Sequence, residues 1–308
     1  MTASEVGTTL PDRRRHVWRE DLAAVELKGV VPASRFVEGA PARVSWPAIA
    51  LRRVPSGAGS FETEALFGER LTVFDEADGW AWVQRARDRY VGYVPRDALS
   101  FEPVEATHRV QALGTFVYPR ADIKAPPVTH LPLGAEIAVK NADARFAELA
   151  TGGFVVLRHI CERSWFARDF VDVAERFIGV PYLWGGRTRM GLDCSGLVQI
   201  ALEAAGLPCP RDSDMQEAEL GSAVLVPSNL ERLARGDLVF WPGHVGVMVD
   251  SVMLLHANAF HMAVSVEPLE PAAERIARQD DDGCRIRSIR RLDRLSAMTE
   301  AGSAKAAL

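Results

Sequence analysis

The sequence predicts an α+β protein in which two small β-barrels precede a domain of helices and an antiparallel sheet. Short apolar runs broken by turn residues fill the stretch from about Ala42 to Glu162, as is typical of small barrels. After Trp165 the apolar spacing becomes helical, and strand-like segments follow from Asp237 onward. A chain of 308 residues is long enough for two or three such units, each with its own core.

Residues 1–40 are expected to form an irregular N-terminal arm with one helical stretch, Asp21 to Gly29, that stops at the glycine. The first barrel is assigned to residues 41–102. Its segment ERLTVFDEADGWAWVQRA alternates in hydrophobicity around a turn signal at Asp78-Gly79.

A second barrel is assigned to residues 103–164 on a weaker pattern. The segments GERLTVFDEADGWAWVQ and GAEIAVKNADARFAELA share their spacing, which suggests an internal repeat of roughly sixty residues.

Residues 165–294 are assigned to one α+β domain, and residues 295–308 to a frayed tail rich in Ala and Ser. FVDVAERFIG has helical spacing, and a second helix is expected from Cys194 to Gly206, where glycine and Pro208 end it. The predicted strands are DLVFW, HVGVMVD, VMLLHAN, AVSVEPL and CRIRSIRRL.

The composition is that of an ordinary soluble protein, with 48% hydrophobic and 25% charged residues. A net charge of −5 argues against nucleic acid as a partner, and no apolar stretch is long enough to span a bilayer. The opening MTASEVGTTLPDRRRHVWRED lacks the apolar segment of a secretory signal, so a cytoplasmic location without membrane association is expected. The oligomeric state is left open.

Four cysteines, at positions 161, 194, 209 and 284, make no disulfide framework and show no zinc-ligand spacing. Neither a metal nor an organic cofactor is therefore expected. Cys161, Cys209 and Cys284 are interpreted as small buried hydrophobes. Cys194 differs because it opens a predicted helix, where backbone N–H groups and the helix dipole favour a thiolate.

A thiolate nucleophile needs a proton acceptor and a group that orients that acceptor. His244 opens one predicted strand and His256 closes the next, and the turn at Asp250-Ser251 would make the two strands an antiparallel pair. Both histidines would then lie at the same end of the sheet. His261 is the rival for the orienting position, but it falls in a predicted loop. Each histidine taken alone is also compatible with a hydrogen-bonded residue at a strand end.

Six segments in order carry a family resemblance: PYLWGG, LDCSGLVQ, PRDSDMQ, RGDLVFW, HVGVMVD and LLHAN. With them, the stretch from about Phe166 to Leu292 resembles the catalytic domain of NlpC-type cell-wall peptidases, which is papain-like with a circular rearrangement. The resemblance implies Cys194 as nucleophile, His244 as base and His256 as the orienting residue. It also places the hydroxyl of Tyr182 near the nucleophile, although this tyrosine could equally be a core aromatic beside Trp184.

The region from about Ala42 to Glu162 resembles tandem bacterial SH3-like domains, which accompany this catalytic domain in the γ-D-glutamyl-diamino acid endopeptidases of murein recycling. In those enzymes the first barrel closes the cleft and recognises a free N-terminal L-alanine. The resemblance implies substrate contacts at Asp193, Ser195, Ser213, Glu64 and Tyr90. Alternatives stay open: Asp193, Ser195 or Ser213 could serve a helix start, and the barrel residues could be Glu62 and Tyr93.

The resemblance thus implies a cysteine endopeptidase acting on short murein peptides, with L-Ala-γ-D-Glu-diamino acid as substrate. A lytic enzyme on polymeric murein, with the barrels as wall anchors, is a second hypothesis. A catalytically idle wall-peptide-binding module and an acyltransferase are further alternatives.

Overall fold

The computed structural model describes residues 10–102, 104–226, 230, 232–279, 283 and 285–292. The predicted tail at 295–308 and the interpretation of Cys284 as a buried hydrophobe lie outside the described residues. The chain divides into two compact units, Met1–Pro103 and Val104–Leu308. Within the described residues, no helix has the length and apolar character needed to cross a membrane.

The N-terminal arm differs from the expected helix at Asp21 to Gly29. The structure has a short strand β1 (Ala23–Ala24), a 3-10 helix (Val25–Leu27) and a strand β2 (Phe36–Val37) that runs parallel to β1. So short a helix is marginal on its own, and pairing with β2 satisfies the backbone of β1 instead. Gly29 still ends the turn, with φ of 82°.

The rest of the first unit is an antiparallel sheet in the order β5-β4-β8-β7-β6-β3-β9, as the alternating pattern predicted. Asp78 and Gly79 both have positive φ and join β6 to β7 in the expected two-residue hairpin. A short 3-10 helix, Arg96–Ala98, leads into the last strand. The strands are β3 Ala40–Val44, β4 Ala48–Arg52, β5 Phe61–Leu66, β6 Arg70–Ala77, β7 Trp80–Arg85, β8 Val91–Pro95 and β9 Leu99–Ser100.

The second unit begins with short antiparallel strands in three small sheets, ordered β13-β10-β17, β11-β12 and β14-β15-β16. This agrees with the β-structure predicted for the segment. A 3-10 helix, Leu157–His159, precedes its last strand. The strands are β10 His108–Val110, β11 Gly114–Val117, β12 Thr129–Pro132, β13 Glu136–Ile137, β14 Val139–Ala142, β15 Phe146–Leu149, β16 Phe154–Val156 and β17 Ile160–Glu162.

The remainder of the second unit is a six-stranded antiparallel sheet, β20-β25-β21-β22-β23-β24, with helices packed against it. A helix–strand order was expected, but one helix, α4, follows β24 directly. The elements are α1 Phe170–Glu175, β18 Arg187–Thr188, β19 Gly191–Leu192, α2 Cys194–Ala204, α3 Ser213–Glu219, β20 Ser222–Val224, β21 Leu238–Trp241, β22 His244–Met248, β23 Met253–Asn258, β24 Ala263–Pro268, α4 Leu269–Ala277 and β25 Ser288–Arg291.

Helix α2 is the central helix of this region and packs against β22 and β23. Ten of its eleven residues, all but Ala204, are buried, as expected of a helix between a sheet and its neighbours. It ends where the sequence predicted, because Gly206 adopts a φ of 80° that a residue with a Cβ rarely takes. This packing holds the start of α2 against the sheet that carries both histidines.

Candidate active site

Cys194 is the first residue of α2, and its side chain is buried. Asp193 is the N-cap of that helix, with its Oδ1 accepting the backbone N–H of Gly196 at 2.7 Å. The capping role that the sequence left open for Asp193 is therefore present. Gly196 fits this turn because a Cβ there would lie 2.2 Å from the carbonyl oxygen of Gly186.

Asp193 is also paired with Arg211, a residue that the sequence analysis missed. The Nη2 of Arg211 lies 2.6 Å from Asp193 Oδ2, and its Nη1 donates to the Oγ of Ser195 at 2.7 Å. The backbone N–H of Gly185 donates to Asp193 Oδ2 at 2.8 Å. Both oxygens of Asp193 and the hydroxyl of Ser195 thus have protein partners in a buried network. Their predicted role as substrate contacts stays a prediction.

The pKa of the Cys194 thiol is set by effects that act in opposite directions. Burial raises its pKa to about 12, and the Asp193 carboxylate acts in the same direction. The backbone N–H groups of Val245 and Ser195 oppose the shift, as the helix start was expected to do, but burial outweighs them. The amide of Val245 also shows that the start of β22, where His244 lies, meets the start of α2. In the resting site Cys194 is therefore a neutral thiol.

The two histidines come together as predicted. Strands β22 and β23 pair antiparallel, and the Nε2 of His244 lies 2.9 Å from the Nδ1 of His256. Gly246 makes room for this pair, because a Cβ there would lie 3.2 Å from the Cβ of His256 and 2.7 Å from a Leu254 methyl carbon. The pairing of β22 with β23, together with the absence of a side chain at Gly246, thus brings the two histidines into contact.

Glu267, which the sequence analysis did not single out, completes the row of side chains beyond His256. Its Oε1 lies 2.8 Å from the Nε2 of His256, and Arg275 of α4 donates to both of its oxygens at 2.6 and 2.7 Å. His261, the rival for the orienting position, lies 3.4 Å from the same Glu267 oxygen and is partly exposed. His256, and not His261, is the residue that contacts the ring of His244 in the described part of the chain.

Burial keeps both histidines neutral. It lowers the pKa of His244 to about 3, with His256 and Arg275 acting in the same direction and Glu267 opposing. Burial also lowers the pKa of His256, and the hydrogen bond that its Nε2 donates to Glu267 opposes this shift. For Glu267 itself burial alone would raise the pKa, but His256 and Arg275 outweigh it and hold the pKa well below its usual range. The site therefore combines a neutral thiol, neutral imidazoles and an ionised carboxylate.

Tyr182 lies near the nucleophile, as the resemblance implied. Its pKa is raised by burial, by Cys194 and by Asp193, so its hydroxyl keeps its proton and can donate a hydrogen bond. Its backbone N–H donates to the carbonyl oxygen of Met262 at 2.9 Å, which ties this loop to the sheet. Trp184 is 66% exposed, so the alternative of a core aromatic pair with Tyr182 is wrong.

The remaining predicted contacts lie elsewhere. Ser213 is the first residue of α3, whose N-cap is Asp212, so the suggestion that Ser213 is the cap is wrong. Tyr90 packs in the hydrophobic core of the first unit with 3% exposure, and Glu64 lies half-buried on β5. The hydroxyl of Tyr93, the alternative to Tyr90, accepts a hydrogen bond from Nη1 of Arg19 at 2.9 Å. The substrate-binding roles of Ser213, Glu64 and Tyr90 stay predictions.

The other cysteines that the structure describes are unbonded to one another, with Cys209 buried and Cys161 partly buried. In the described part of the chain, no group of three or more His, Cys, Asp or Glu side chains is arranged to hold a metal ion.

A thiol at a buried helix start, beside a histidine pair on a neighbouring sheet, is the arrangement of a thiol hydrolase, and the chain is a cysteine peptidase. Its catalytic region, residues 179–275, matches the NlpC/P60 family. Residues 51–99 match the bacterial dipeptidyl-peptidase SH3 domain. The family resemblance found in the sequence is thus confirmed for the catalytic region and for one SH3 domain at residues 51–99.

Two named relatives align with about two thirds of this chain. The chain is 27% identical to the dipeptidyl-peptidase 6 of Lysinibacillus sphaericus over 231 residues, which covers 67% of this chain and 83% of the relative. It is 26% identical to the gamma-D-glutamyl-L-lysine dipeptidyl-peptidase of Bacillus cereus over 246 residues, or 70% of this chain and 72% of the relative. The crystal structure of an NlpC/P60 family protein from Bacillus cereus superposes with a TM-score of 0.66 over 82% of this chain and 99% of that one, at 19% identity, which supports the fold.

Proposed function

We propose that this enzyme hydrolyses the bond between γ-D-glutamate and the diamino acid of short murein peptides that carry a free N-terminal L-alanine. The observation that carries the proposal is the pairing of both domains in one chain. The SH3 domain type that matches residues 51–99 is the one of bacterial dipeptidyl-peptidases, and two relatives that align with 67% and 70% of this chain have dipeptidyl-peptidase in their names.

The fold supports two finer proposals. The small sheets of residues 104–162 would be a second SH3-like barrel, and the six-stranded sheet with α2 would be a rearranged papain-like catalytic domain. Asp193, Ser195 and Ser213 would contribute to the alanine site. A cytoplasmic role in murein recycling also belongs to this proposal, and cell fractionation tests it.

The proposed mechanism starts from the neutral thiol. As the Sγ of Cys194 attacks the γ-carbonyl carbon of D-glutamate, its proton passes to His244. The backbone N–H of Cys194 and the hydroxyl of Tyr182 would donate to the oxygen that gains charge. His244 then gives its proton to the amine of the diamino acid, which leaves as the C–N bond breaks and a thioester remains on Cys194.

Water completes the cycle. His244 takes a proton from the water as its oxygen attacks the thioester carbonyl, and the C–S bond breaks. His244 gives that proton to the departing sulfur, which restores the thiol of Cys194. The new carboxyl group of the product dipeptide releases its remaining proton to solvent and leaves as a carboxylate. No cofactor or redox step is needed, since each proton that His244 accepts is returned within the cycle. His256 holds the imidazole of His244 in place throughout, over the 2.9 Å contact.

A substrate panel tests the proposal: L-Ala-γ-D-Glu-meso-diaminopimelate, its lysine analogue, the N-acetylated forms of both, and intact sacculi. The expected result is cleavage of the free-amine peptides, with kcat/KM at least about a hundredfold lower after acetylation, because a buried amine site would lose its charged partner. Equal cleavage of both forms would contradict the alanine site. Activity on sacculi with none on the peptides would instead indicate the lytic enzyme. Failure to cleave any of these substrates would indicate a catalytically idle binding module.

A further inference from the structure

Glu267 is the charged end of a row of hydrogen-bonded side chains that leads to His244. It lies on β24, and its side chain is 14% exposed, while the side chain of His256 is fully buried. Its Oε1 lies 2.8 Å from the Nε2 of His256, and the Nδ1 of His256 lies 2.9 Å from the Nε2 of His244. The catalytic imidazole is therefore connected to a carboxylate through one intervening ring.

The donors and acceptors along this row determine where the protons lie. An ionised carboxylate can accept hydrogen bonds but cannot donate them, so the Nε2 of His256 must carry the proton. A neutral imidazole has one N–H, which leaves the Nδ1 of His256 as an acceptor. The Nε2 of His244 must then be the donor across 2.9 Å, and its Nδ1 is left without a proton.

We propose that Glu267, held by Arg275, is a positioning residue that fixes the tautomers of His256 and His244 and so leaves Nδ1 of His244 as the base for the Cys194 thiol. The proposal rests on the role of His244 as base in the proposed function. The opposite tautomer would place the proton on Nδ1 of His244, and that nitrogen could not then accept the thiol proton.

Arg275 gives the carboxylate its fixed orientation. Its two terminal nitrogens donate to the two oxygens of Glu267 at 2.7 and 2.6 Å, the fork geometry that suits a carboxylate. The guanidinium also lies over the ring of Phe260, 4.2 Å from its centroid, which holds it from the other side. Helix α4, which follows β24 at once, thus has a function in the site: it supplies the group that clamps Glu267.

The negative charge of Glu267 has a second effect during turnover. When His244 takes up a proton, the histidine pair becomes cationic in a buried setting, and a carboxylate one ring away stabilises that charge. Among the residues that the structure describes, Arg275 and the partly exposed His261, 3.4 Å from Glu267 Oε1, are the other titratable or charged groups at this carboxylate. Loss of the carboxylate should therefore reduce kcat while leaving KM nearly unchanged.

The test combines histidine ¹⁵N NMR, which reports the tautomer of each ring, with kcat and KM on the free-amine peptide. Glu267→Met removes the acceptor at similar size. Glu267→Gln retains an amide oxygen that can take the place of Oε1, which contacts both His256 and Arg275, but it loses the charge. Glu274→Met is the matched control, since Glu274 is half-exposed on α4 and pairs with Arg278.

For Glu267→Met we expect His256 to lose its preference for the Nε2–H tautomer and kcat to fall at least about tenfold, with KM within about twofold. Glu267→Gln should retain the tautomer with a smaller loss in kcat, and Glu274→Met should match the wild type. A folded Glu267→Met protein with the wild-type tautomer and kcat would overturn the proposal.

If Glu267→Met fails to fold, the Glu267→Gln variant provides the test. An unchanged kcat in Glu267→Gln would also overturn the proposed role of Glu267. The NMR readout needs no substrate, so an enzyme that cleaves none of the peptides would refute the proposed function and still report the tautomers.

Discussion

The two sides of the active site are held in different ways. The thiol side, which we define as Asp193, Cys194, Ser195 and Arg211, is organised by a buried ion pair at the start of one helix. The imidazole side, defined as His244, His256, Glu267 and Arg275, is organised by strand register and a row of hydrogen bonds. The nucleophile therefore depends on one buried ion pair, whereas the base depends on the alignment of several strands.

Breaking the thiol side should have the largest effect on stability. Arg211→Met leaves the buried Asp193 carboxylate without its cation, and we expect a loss of about 3–5 kcal/mol in the free energy of unfolding. Urea denaturation measures it. Arg287→Met is the control, because Arg287 is 55% exposed beside Glu217 and should change stability by less than about 0.5 kcal/mol. A loss below about 1 kcal/mol for Arg211→Met would contradict the role of the ion pair.

The protonation state of the thiol side is the next test. Because burial raises the pKa of Cys194 to about 12, the thiolate fraction of the free enzyme should keep rising with pH through the neutral and alkaline range. Alkylation of Cys194 by iodoacetamide, followed by peptide mass spectrometry, should accelerate about a hundredfold between pH 7 and pH 9. A rate that is constant across this range would show that the thiolate is already formed at neutral pH, which would contradict a neutral Cys194 thiol in the resting site.

The imidazole side should be sensitive to the smallest added side chain. Gly246→Ala places a methyl group against Leu254 and His256, and we expect a stability loss of about 1–3 kcal/mol together with a lower kcat. Thermal unfolding and steady-state kinetics measure both. Gly57→Ala meets nothing within 4 Å and serves as the control. Wild-type kcat in Gly246→Ala would mean that strand alignment does not set the base.

The smallest expected effect concerns Ser213, at the start of α3. Its side chain is only partly buried and is not the helix N-cap, so removal of its hydroxyl should leave stability within about 0.5 kcal/mol. If it contacts substrate, Ser213→Ala should raise KM about 2–10-fold, the value of one neutral hydrogen bond. An unchanged KM would remove Ser213 from the set of substrate contacts.

The sequence predicted those features that depend on local pattern. The hairpin at Asp78-Gly79, the span of α2 and the strands from Leu238 to Pro268 follow from turn residues and apolar spacing. Cys194, His244 and His256 were found because the motifs that carry them lie at element ends.

The missed features depend on contacts between distant segments. Arg211 and Glu267 are charged residues whose importance comes from partners 18 and 11 positions away, and no local pattern reports such a pairing. Strand alternation did contain a signal for Glu267, since it is paired with Leu254 and therefore shares a face with His256. Helix α4 was missed although Leu269, Ala272 and Ala273 have helical spacing and are buried.

In the N-terminal arm, a local pattern predicted a helix that the structure does not have. The segment from Asp21 to Gly29 has helical composition, but Ala23 and Ala24 pair with Phe36 and Val37 in the folded chain. Tertiary pairing overrides a short helical preference, and only the final glycine behaved as expected.

The measurement that tests the central claim most directly is kcat/KM on L-Ala-γ-D-Glu-meso-diaminopimelate for the wild type, Cys194→Ala and Cys209→Ala. Both cysteines are buried, so the second variant controls for loss of a buried thiol. We predict a loss of at least about a thousandfold for Cys194→Ala, as expected when a covalent nucleophile is removed, and near wild-type activity for Cys209→Ala. Retained cleavage by Cys194→Ala would contradict catalysis through this thiol.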